Sequence, residues 1–352
     1  MNLRSVAPAT NALLAAFLFG ANAPLAKLAL SDVHPVMMAA FLYLGSGLGL
    51  IILWGIKRGL GRNVNKEAFL QAGDLKWLAG AILAGGVAAP ILLMTGLAST
   101  PASTVSLLLA FEVVATIVLA YTIFREHIGQ RVWVATGIIT AGTIVLSFTP
   151  GAVLTVSAGA LGVIAACLLW GLDNNLTRVV SLRDPLTITI IKGLAAGSVS
   201  FCIAIGIHAP VPGIPLAFTV MALGFVTYGL SIFFFVRSLR TLGVARTGAY
   251  FSSAPFIGAM LSVLIFHELP GATFFIALPI LATGLVLLAG EEHVHRHTHL
   301  ALVHEHRHRH DDGHHLHDHT GDVPDEHSHL HTHDDMEHAH PHLPDIHHRH
   351  EK

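Results

Sequence analysis

The chain has 352 residues, of which 53% are hydrophobic and only 12% are charged. Soluble domains carry about 25% charged residues, so this composition argues against a soluble globular protein. Residues 1–290 hold 15 Lys and Arg against 8 Asp and Glu, a net charge of +7, whereas residues 291–352 hold 5 against 14, a net charge of −9 with histidine neutral. Because 22 of the 26 histidines lie in residues 291–352, we predict a membrane-embedded body followed by an acidic, histidine-rich tail.

Apolar stretches fill the body in chain order. A hydrocarbon core about 30 Å thick requires about 20 apolar residues in a helix. Ten stretches meet this requirement: residues 9–30, 35–56, 75–97, 101–123, 131–149, 157–179, 185–207, 216–236, 243–266 and 271–290. The sequence therefore predicts an all-α polytopic membrane protein with ten transmembrane helices.

Basic residues of the connectors predict the orientation in the membrane. Twelve Lys and Arg lie in alternate connectors, and the five connectors on the opposite side have none. They are Lys57, Arg58, Arg62, Lys66, Lys76, Arg125, Arg131, Arg178, Arg183, Arg237, Arg240 and Arg246. Positive loops stay in the cytoplasm, so the bias predicts cytoplasmic N- and C-termini in the cell (inner or plasma) membrane.

The body also repeats itself. The stretch FGANAPLAKLAL at 19–30 resembles WGLDNNLTRVVS at 170–181, and IFREHI at 123–128 resembles IFHELP at 265–270. The second and seventh spans each carry GxxxG, a motif that lets helix backbones approach closely. Five spans are an odd number, so a second five-helix repeat must be inverted relative to the first. We therefore predict one repeat in residues 1–150, its inverted copy in 151–290, and the tail in 291–352.

These motifs resemble the EamA-type branch of the drug/metabolite transporter superfamily. The resemblance covers about residues 9–290 and includes LLLAFEVVATIVLAYTIFREHIG and FSSAPFIGAMLSVLIFHELPG, which occupy matching places in the two halves. It implies a secondary transporter whose helices enclose the solute between the repeats. Members of the family usually have Pro after the mid-helix Glu, where this chain has Val113, and often Glu where it has Ala254.

Ionisable residues inside the spans are the candidates for the transport cavity. Glu112 lies near the middle of the fourth span, where an ionised acid costs about 2.5 kcal/mol or more. It is either a proton- or cation-binding carboxylate, or a protonated side chain bonded to a neighbouring helix. Lys192 lies inside the seventh span, where Glu112 or Asp173 could be its partner, and Lys27 lies near the end of the first span, where it binds an anionic group, pairs with an acid or snorkels to the interface.

A polar cluster marks the sixth span. Asp173, Asn174, Asn175 and Arg178 lie within two helical turns, and Asn174 shares a face with Arg178. The cluster either lines the cavity or forms an interfacial helix end at which Arg178 contacts lipid head groups.

Histidines alternate with other residues along the tail. In an extended chain, residues two apart point the same way at a spacing of about 6.6 Å, so neighbouring imidazoles could converge on one ion. The candidate ligands are His293, His295, His297, His299, His304, His306, His308, His310, His315, His317, His319, His327, His329, His331 and His333. Nitrogen and carboxylate ligands suit zinc, nickel, cobalt or copper(II). The tail is too polar to form a core, so we predict disorder without metal; the alternative is a solvated tail with incidental affinity.

The combined pattern predicts a transporter of a small solute, preferably an exporter, that works by alternating access with a metal-binding cytosolic tail. It requires no cofactor, and its partners are the lipid bilayer, the solute or ion, and divalent metals; nucleic acid is not among them. Two alternatives stay open: transport of zinc, nickel or cobalt itself, and a membrane-tethered metal buffer without transport. An enzyme has least support, because the body has no HExxH, GxSxG or phosphate-loop motif.

Overall fold

The computed structural model shows a bundle of apolar helices. It describes residues 3–60, 70–125, 128–147, 157–181, 183–267, 270–289, 293–299, 302–309, 326–333 and 336–342. Among the predicted tail ligands, His310, His315, His317 and His319 lie outside the described residues.

Fourteen α-helices are found in the described residues. They are α1 Leu3–Gly20, α2 Asn22–Ala29, α3 Pro35–Gly59, α4 Leu75–Ala81, α5 Ala89–Ser99, α6 Ala102–Leu108, α7 Phe111–Thr122, α8 Gln130–Ser147, α9 Ala158–Val180, α10 Pro185–Gly206, α11 Ile214–Gly224, α12 Ser231–Phe251, α13 Ala254–Phe266 and α14 Ala272–Ala289. A 3₁₀ turn, Ala72–Asp74, precedes α4. Two stretches are π-helical: the first π segment, Ile82–Ala88, joins α4 to α5, and the second, Phe225–Leu230, joins α11 to α12.

Local sequence explains where several helices begin. The Asp184 side chain accepts hydrogen bonds from the backbone N–H groups of Leu186 and Thr187, and Pro185 occupies the first helical position of α10. Ser157 caps α9 in the same way by accepting from the Ala160 N–H. Such caps satisfy N–H groups that have no partner inside the helix, and proline is suited to the first turn because it lacks that donor.

Seven helical stretches are long and apolar enough to cross a membrane. They are Ala9–Ala29, Pro35–Ile56, Ala72–Ser99, Ala102–Thr122, Ala158–Val180, Pro185–Gly206 and Ile214–Ser238. Two shorter apolar helices, Ala254–Phe266 and Ala272–Leu288, lie where the ninth and tenth spans were predicted, and α8 lies at the fifth. A multi-pass membrane protein follows from these helices, and the count of ten crossings stays a prediction.

The sequence predicted a connector between the eighth and ninth spans, and this prediction was wrong because the segment is helical. α12 continues through Arg237, Arg240 and Arg246, and the helix breaks only at Ser252 and Ser253. Basic residues alone suggested a loop there. The stretch has no proline, and isolated glycines in a helix cost only about 1 kcal/mol each, so the helix can continue.

Backbone irregularities recur at equivalent places in the two halves. The π segments interrupt the third and the eighth predicted spans, and short breaks interrupt the fourth span at Leu109–Ala110 and the ninth at Ser252–Ser253. Arg125 and His267, which follow the same Ile-Phe pair, both have positive φ angles, 54° and 51°. The similarity of the two halves therefore extends from sequence to backbone conformation.

Glycines bring three helices into close contact. A Cβ on Gly193 would lie 2.6 Å from the backbone nitrogen of Gly47, so this GxxxG motif packs α10 directly on α3. The other motif, Gly45–Gly49, packs α3 on the helix at its other side. A Cβ on Gly45 would collide with Met221, and a Cβ on Gly49 would collide with Phe225. The two motifs therefore place α3 between α10 and the segment α11–π, as small residues do in membrane bundles.

Four strands follow the body: β1 His293–His299, β2 Leu302–Arg309, β3 Glu326–His333 and β4 Met336–His342. β1 pairs with β4 and β2 pairs with β3, both antiparallel. The prediction of a disordered tail is therefore not confirmed for these segments. The alternating pattern of the sequence has period 2, which is also the period of a strand.

Candidate functional site

A cavity of about 60 Å³ lies between residues of the two halves. Its aromatic lining residues are Phe19, Tyr43, Trp170, Tyr228, Phe235 and Phe251. Its polar lining residues are Glu112, Asp173, Asn174, Thr177, Lys192 and Ser231. Space of this size accommodates a few water molecules or a small polar head group.

A buried ion pair forms the centre of the polar side. The Lys192 Nζ of α10 lies 2.6 Å from Asp173 Oδ1 and 2.5 Å from Oδ2 of α9, and the two side chains are 5% and 6% exposed. The Thr177 hydroxyl donates a third hydrogen bond to Oδ1 at 2.9 Å. Burial of two charges is costly, and good geometry with extra hydrogen bonds offsets that cost. Among the described residues that line the cavity, the single cationic group is thus bound by an acid of the same cavity.

Glu112 lies in the first turn of α7, immediately after the break in the fourth span. Asn174 Nδ2 donates to Glu112 Oε1 at 2.9 Å and to Thr116 Oγ1 at 3.2 Å. Within the described part of the chain, Glu112 forms no ion pair. A negative charge at this position is favoured by the partial positive charge at the start of a helix. The carboxylate therefore has an amide partner and is half-buried beside the cavity.

Aromatic rings form a continuous wall. The Phe19 ring contacts those of Trp170, Tyr228 and Phe251 at centroid distances of 5.6, 6.0 and 5.3 Å. The Tyr43 ring lies 4.9 Å from that of Tyr228. Edge-to-face and tilted rings at these distances attract each other beyond simple burial. The wall therefore holds together side chains from both halves.

The first π segment fixes two of these rings. The Tyr43 hydroxyl and the Trp170 Nε1 both donate to the Gly85 carbonyl oxygen, at 2.8 and 2.9 Å. A Cβ on Gly85 would overlap the Asp173 carboxylate, so glycine at this position also leaves the space in which the ion pair forms. π segments widen a helix and are frequent at functional sites.

The second π segment has a matching role opposite the first span. The Asn22 amide donates to the Tyr228 hydroxyl at 3.3 Å, and Thr227 donates to Asn22 Oδ1 at 3.1 Å. Asn22 is 2% exposed, so its polar atoms depend on these bonds. Each half thus places a residue of its first span against the π segment of the other half.

Four of the seven predicted cavity residues meet here. Glu112, Asp173, Asn174 and Lys192 all line the cavity. Of the two partners suggested for Lys192, the structure has Asp173.

The other three lie elsewhere. Lys27 donates to the carbonyls of Leu97, Ala98 and Thr100, where a cation is favoured at the end of α5. Asn175 is 3% exposed and donates to the carbonyls of Thr116 and Gly171. Arg178 lies in the last turn of α9 and does not line this cavity, consistent with the interfacial alternative.

The aromatic wall and Gly85 were missed at the level of sequence. A signal was present in the repeat: aligning Gly20 with Gly171 also aligns Phe19 with Trp170 and Asn22 with Asp173. Both aromatic residues of that alignment line the cavity. Nothing in the sequence marks the π segments.

Metal ligands are not clustered in the described residues of the structure, which contain no group of three or more His, Cys, Asp or Glu able to hold an ion. The predicted ligands of the tail are not tested by this finding, because their side chains are not described.

Two comparisons agree on the class of protein, and a third supports its fold. The model of the EamA-like transporter family matches the chain twice, at residues 8–148 and 157–290. An uncharacterized transporter of Methanothermobacter thermautotrophicus is 30% identical over 270 residues, covering 72% of this chain and 78% of the relative. A solved crystal structure with 20% identity and a TM-score of 0.59 covers 79% of this chain and 95% of its own, which supports the fold. The chain belongs to the EamA-like transporter family, and it is a multi-pass membrane protein.

Proposed function

We propose that the protein is a secondary transporter that moves a small solute through the cavity by alternating access. Export is the direction that we favour. The observation that carries this proposal is the cavity itself, in which Glu112 meets the buried Asp173–Lys192 pair between residues of the two halves. Charged residues in a membrane are costly and are typical of solute and ion pathways. The inversion predicted for the second repeat supports a mechanism in which one half moves against the other around a fixed site.

Growth assays test transport directly. A strain lacking the gene and a strain overexpressing it are grown on a panel of inhibitory amino acids, amines and divalent metals. We expect overexpression to raise tolerance to at least one solute, and Asp173→Asn to abolish the gain at equal protein levels in the membrane. If no solute distinguishes the two strains, or if Glu112→Gln and Asp173→Asn both transport at the wild-type rate, the cavity is not the transit site. A response to zinc, nickel or cobalt alone would favour the metal as the solute.

We propose that the protein lies in the cell membrane (the inner or plasma membrane) with both termini in the cytoplasm. The basic residues that the sequence places in alternate connectors support it, and nine of the twelve lie outside α12. Reporter fusions after residue 290 should be cytoplasmic, and fusions near residues 149–150 should face outward. A tail fusion on the outer side would contradict this orientation.

The tail supports a second role, as a cytosolic module that binds divalent metal. In the β2–β3 ladder the Cα atoms of His304, His306 and His308 stand opposite those of His331, His329 and His327. Residues opposite each other in an antiparallel pair have Cα atoms about 4.5–5.5 Å apart. Histidines two apart therefore recur on both paired strands, and zinc, nickel, cobalt or copper(II) accepts imidazole nitrogen as a ligand.

Calorimetry on the full-length protein and on a variant ending at residue 290 tests this role. We expect the full chain to bind several more equivalents of zinc or nickel than the shortened chain. Imidazole must be neutral to bind metal and has a reference pKa of about 6.5, so affinity should fall as the pH falls toward about 5.5. Equal binding by both proteins at neutral pH would leave the tail a solvated appendage.

A further inference from the structure

We propose that the cavity selects a monovalent organic ammonium ion, with Glu112 as its counter-ion and the aromatic wall around its alkyl groups. This inference rests on the proposed transport function, because it names the chemical class of the solute that the same cavity takes.

The first argument is the charge of the cavity. Lys192 contacts both oxygens of Asp173, so these two charges compensate each other. The Glu112 carboxylate is left with one amide bond to Oε1, and Oε2 accepts no hydrogen bond from the described residues. With Glu112 ionised, the described lining residues carry a net charge of −1. A bound monocation neutralises that charge, and an anion would meet a like charge.

The second argument is the wall. Six aromatic rings line the cavity. The distance between ring centroids is 4.8 Å for Phe235 and Phe251 and 4.9 Å for Tyr43 and Tyr228, so neighbouring rings are in contact and form a connected surface. The face of an aromatic ring attracts a cation, and cages of such rings recognise quaternary ammonium groups. The three Phe rings offer no hydrogen bonds, and the donors of Tyr43 and Trp170 are already bonded to the Gly85 carbonyl. Such a surface favours an alkylated ammonium over a strongly hydrated metal ion.

The third argument concerns divalent metals. A divalent ion requires several nitrogen or oxygen ligands at short distance, and hard cations commonly take six or more. The lining offers one uncompensated carboxylate beside an amide, and the described residues contain no cluster of three ligating side chains. The ligand count therefore favours an organic cation.

Four probes that share a trimethylated tetrahedral centre separate the charge classes. Tetramethylammonium is a permanent cation, tert-butanol is its neutral analogue, pivalate is an anion, and glycine betaine is a zwitterion with the same trimethylated head. Binding to the purified full-length protein in lipid nanodiscs is measured by calorimetry. We expect tetramethylammonium to bind at least about tenfold more tightly than tert-butanol, and pivalate to show no saturable binding.

Two variants assign the effect to residues. Glu112→Gln keeps an acceptor for Asn174 and removes the charge, so it should weaken tetramethylammonium at least about tenfold while changing tert-butanol by less than about twofold. Phe235→Leu removes one ring and no hydrogen bond, and should weaken the cation about threefold to tenfold. Asp32→Asn removes an exposed carboxylate outside the cavity and serves as the matched control, with no change expected.

Several results would overturn the inference. They are equal affinity for tetramethylammonium and tert-butanol, tighter binding of glycine betaine or pivalate that Glu112→Gln does not alter, or no saturable binding of any probe. If Glu112→Gln does not fold, the four probes on the wild-type protein still decide. If one of these results is found and the growth assays show transport of some other solute, only the ammonium proposal is wrong. If tetramethylammonium binds as expected and the growth assays show no transport, only the transporter proposal is wrong.

Discussion

The two repeats are alike in backbone and unlike in charge. Asn22 and Asp173 occupy the same place in the repeat, two residues after the glycines Gly20 and Gly171, and both are buried against the π segment of the opposite half. Asn22 bonds to the neutral Tyr228 hydroxyl, whereas Asp173 pairs with Lys192. The same contrast separates Glu112 from Ala254 at the breaks of the fourth and ninth spans. Duplication of a fold thus preserves positions, and a single substitution at each position decides which half carries the chemistry.

Removing one partner of the ion pair should have the largest effect. Lys192→Met leaves Asp173 buried without its cation, and loss of one member of a buried pair costs about 3–5 kcal/mol. We expect a large drop in the unfolding temperature of the protein in detergent. The double variant Asp173→Asn with Lys192→Met should recover much of the loss, because no unpaired charge remains. A double variant as unstable as Lys192→Met would show that the pair itself stabilises the bundle.

Making the two repeats alike in charge comes next. Asn22→Asp introduces an acid at 2% exposure opposite Tyr228, where no lysine faces it among the described residues. A charge inside a membrane costs about 2.5–3.5 kcal/mol. Thermal unfolding should therefore detect destabilisation of this size. Wild-type stability would mean that the first half tolerates an acid as readily as the second.

Filling the space beside the ion pair should cost less. In Gly85→Ala the new methyl group would overlap the Asp173 carboxylate, and overpacking costs about 1–3 kcal/mol. Transport should fall with stability, because the pair must move. Gly137→Ala is the control, since no atom lies within 4 Å of its added carbon. Equal behaviour of the two variants would show that Gly85 does not hold the pair in place.

Removing a single hydrogen bond should have a smaller effect again. Tyr43→Phe leaves the Gly85 carbonyl with its bond from Trp170, so we expect a loss of about 0.5–1.5 kcal/mol. Tyr121→Phe, at a side chain 43% exposed, is the control. Chemical denaturation of both variants measures the difference.

The smallest effect is expected from deletion of residues 291–352. The family match ends at residue 290, so the unfolding temperature of the body without metal should stay within about 1 °C of the full chain, well below the shift of about 2–4 °C that 1 kcal/mol produces in a domain of 150–250 residues. A lower unfolding temperature for the shortened protein would mean that the tail packs on the body.

The sequence supported prediction of the features that depend on polarity. Apolar length located the helices, and charge inside a span singled out Glu112, Asp173 and Lys192 for the cavity. Features that depend on packing were not visible. Aromatic residues are common in any lipid-facing helix, so Phe235 and Phe251 carried no signal, and a π segment has no residue preference that distinguishes Gly85. Lys27 was ambiguous because helix carbonyls and solutes attract a lysine equally well.

The Gly85 carbonyl has a mechanical consequence. One oxygen accepts from Tyr43 of α3 and from Trp170 of α9, so neither helix can slide past the first π segment without losing its bond to that atom. When one donor leaves, the ring contacts that run from Trp170 through Phe19 and Tyr228 to Tyr43 are disturbed as well. Packed interfaces of this kind shift between discrete arrangements and do not deform gradually. The aromatic wall should therefore open as a cooperative unit, with few intermediate widths.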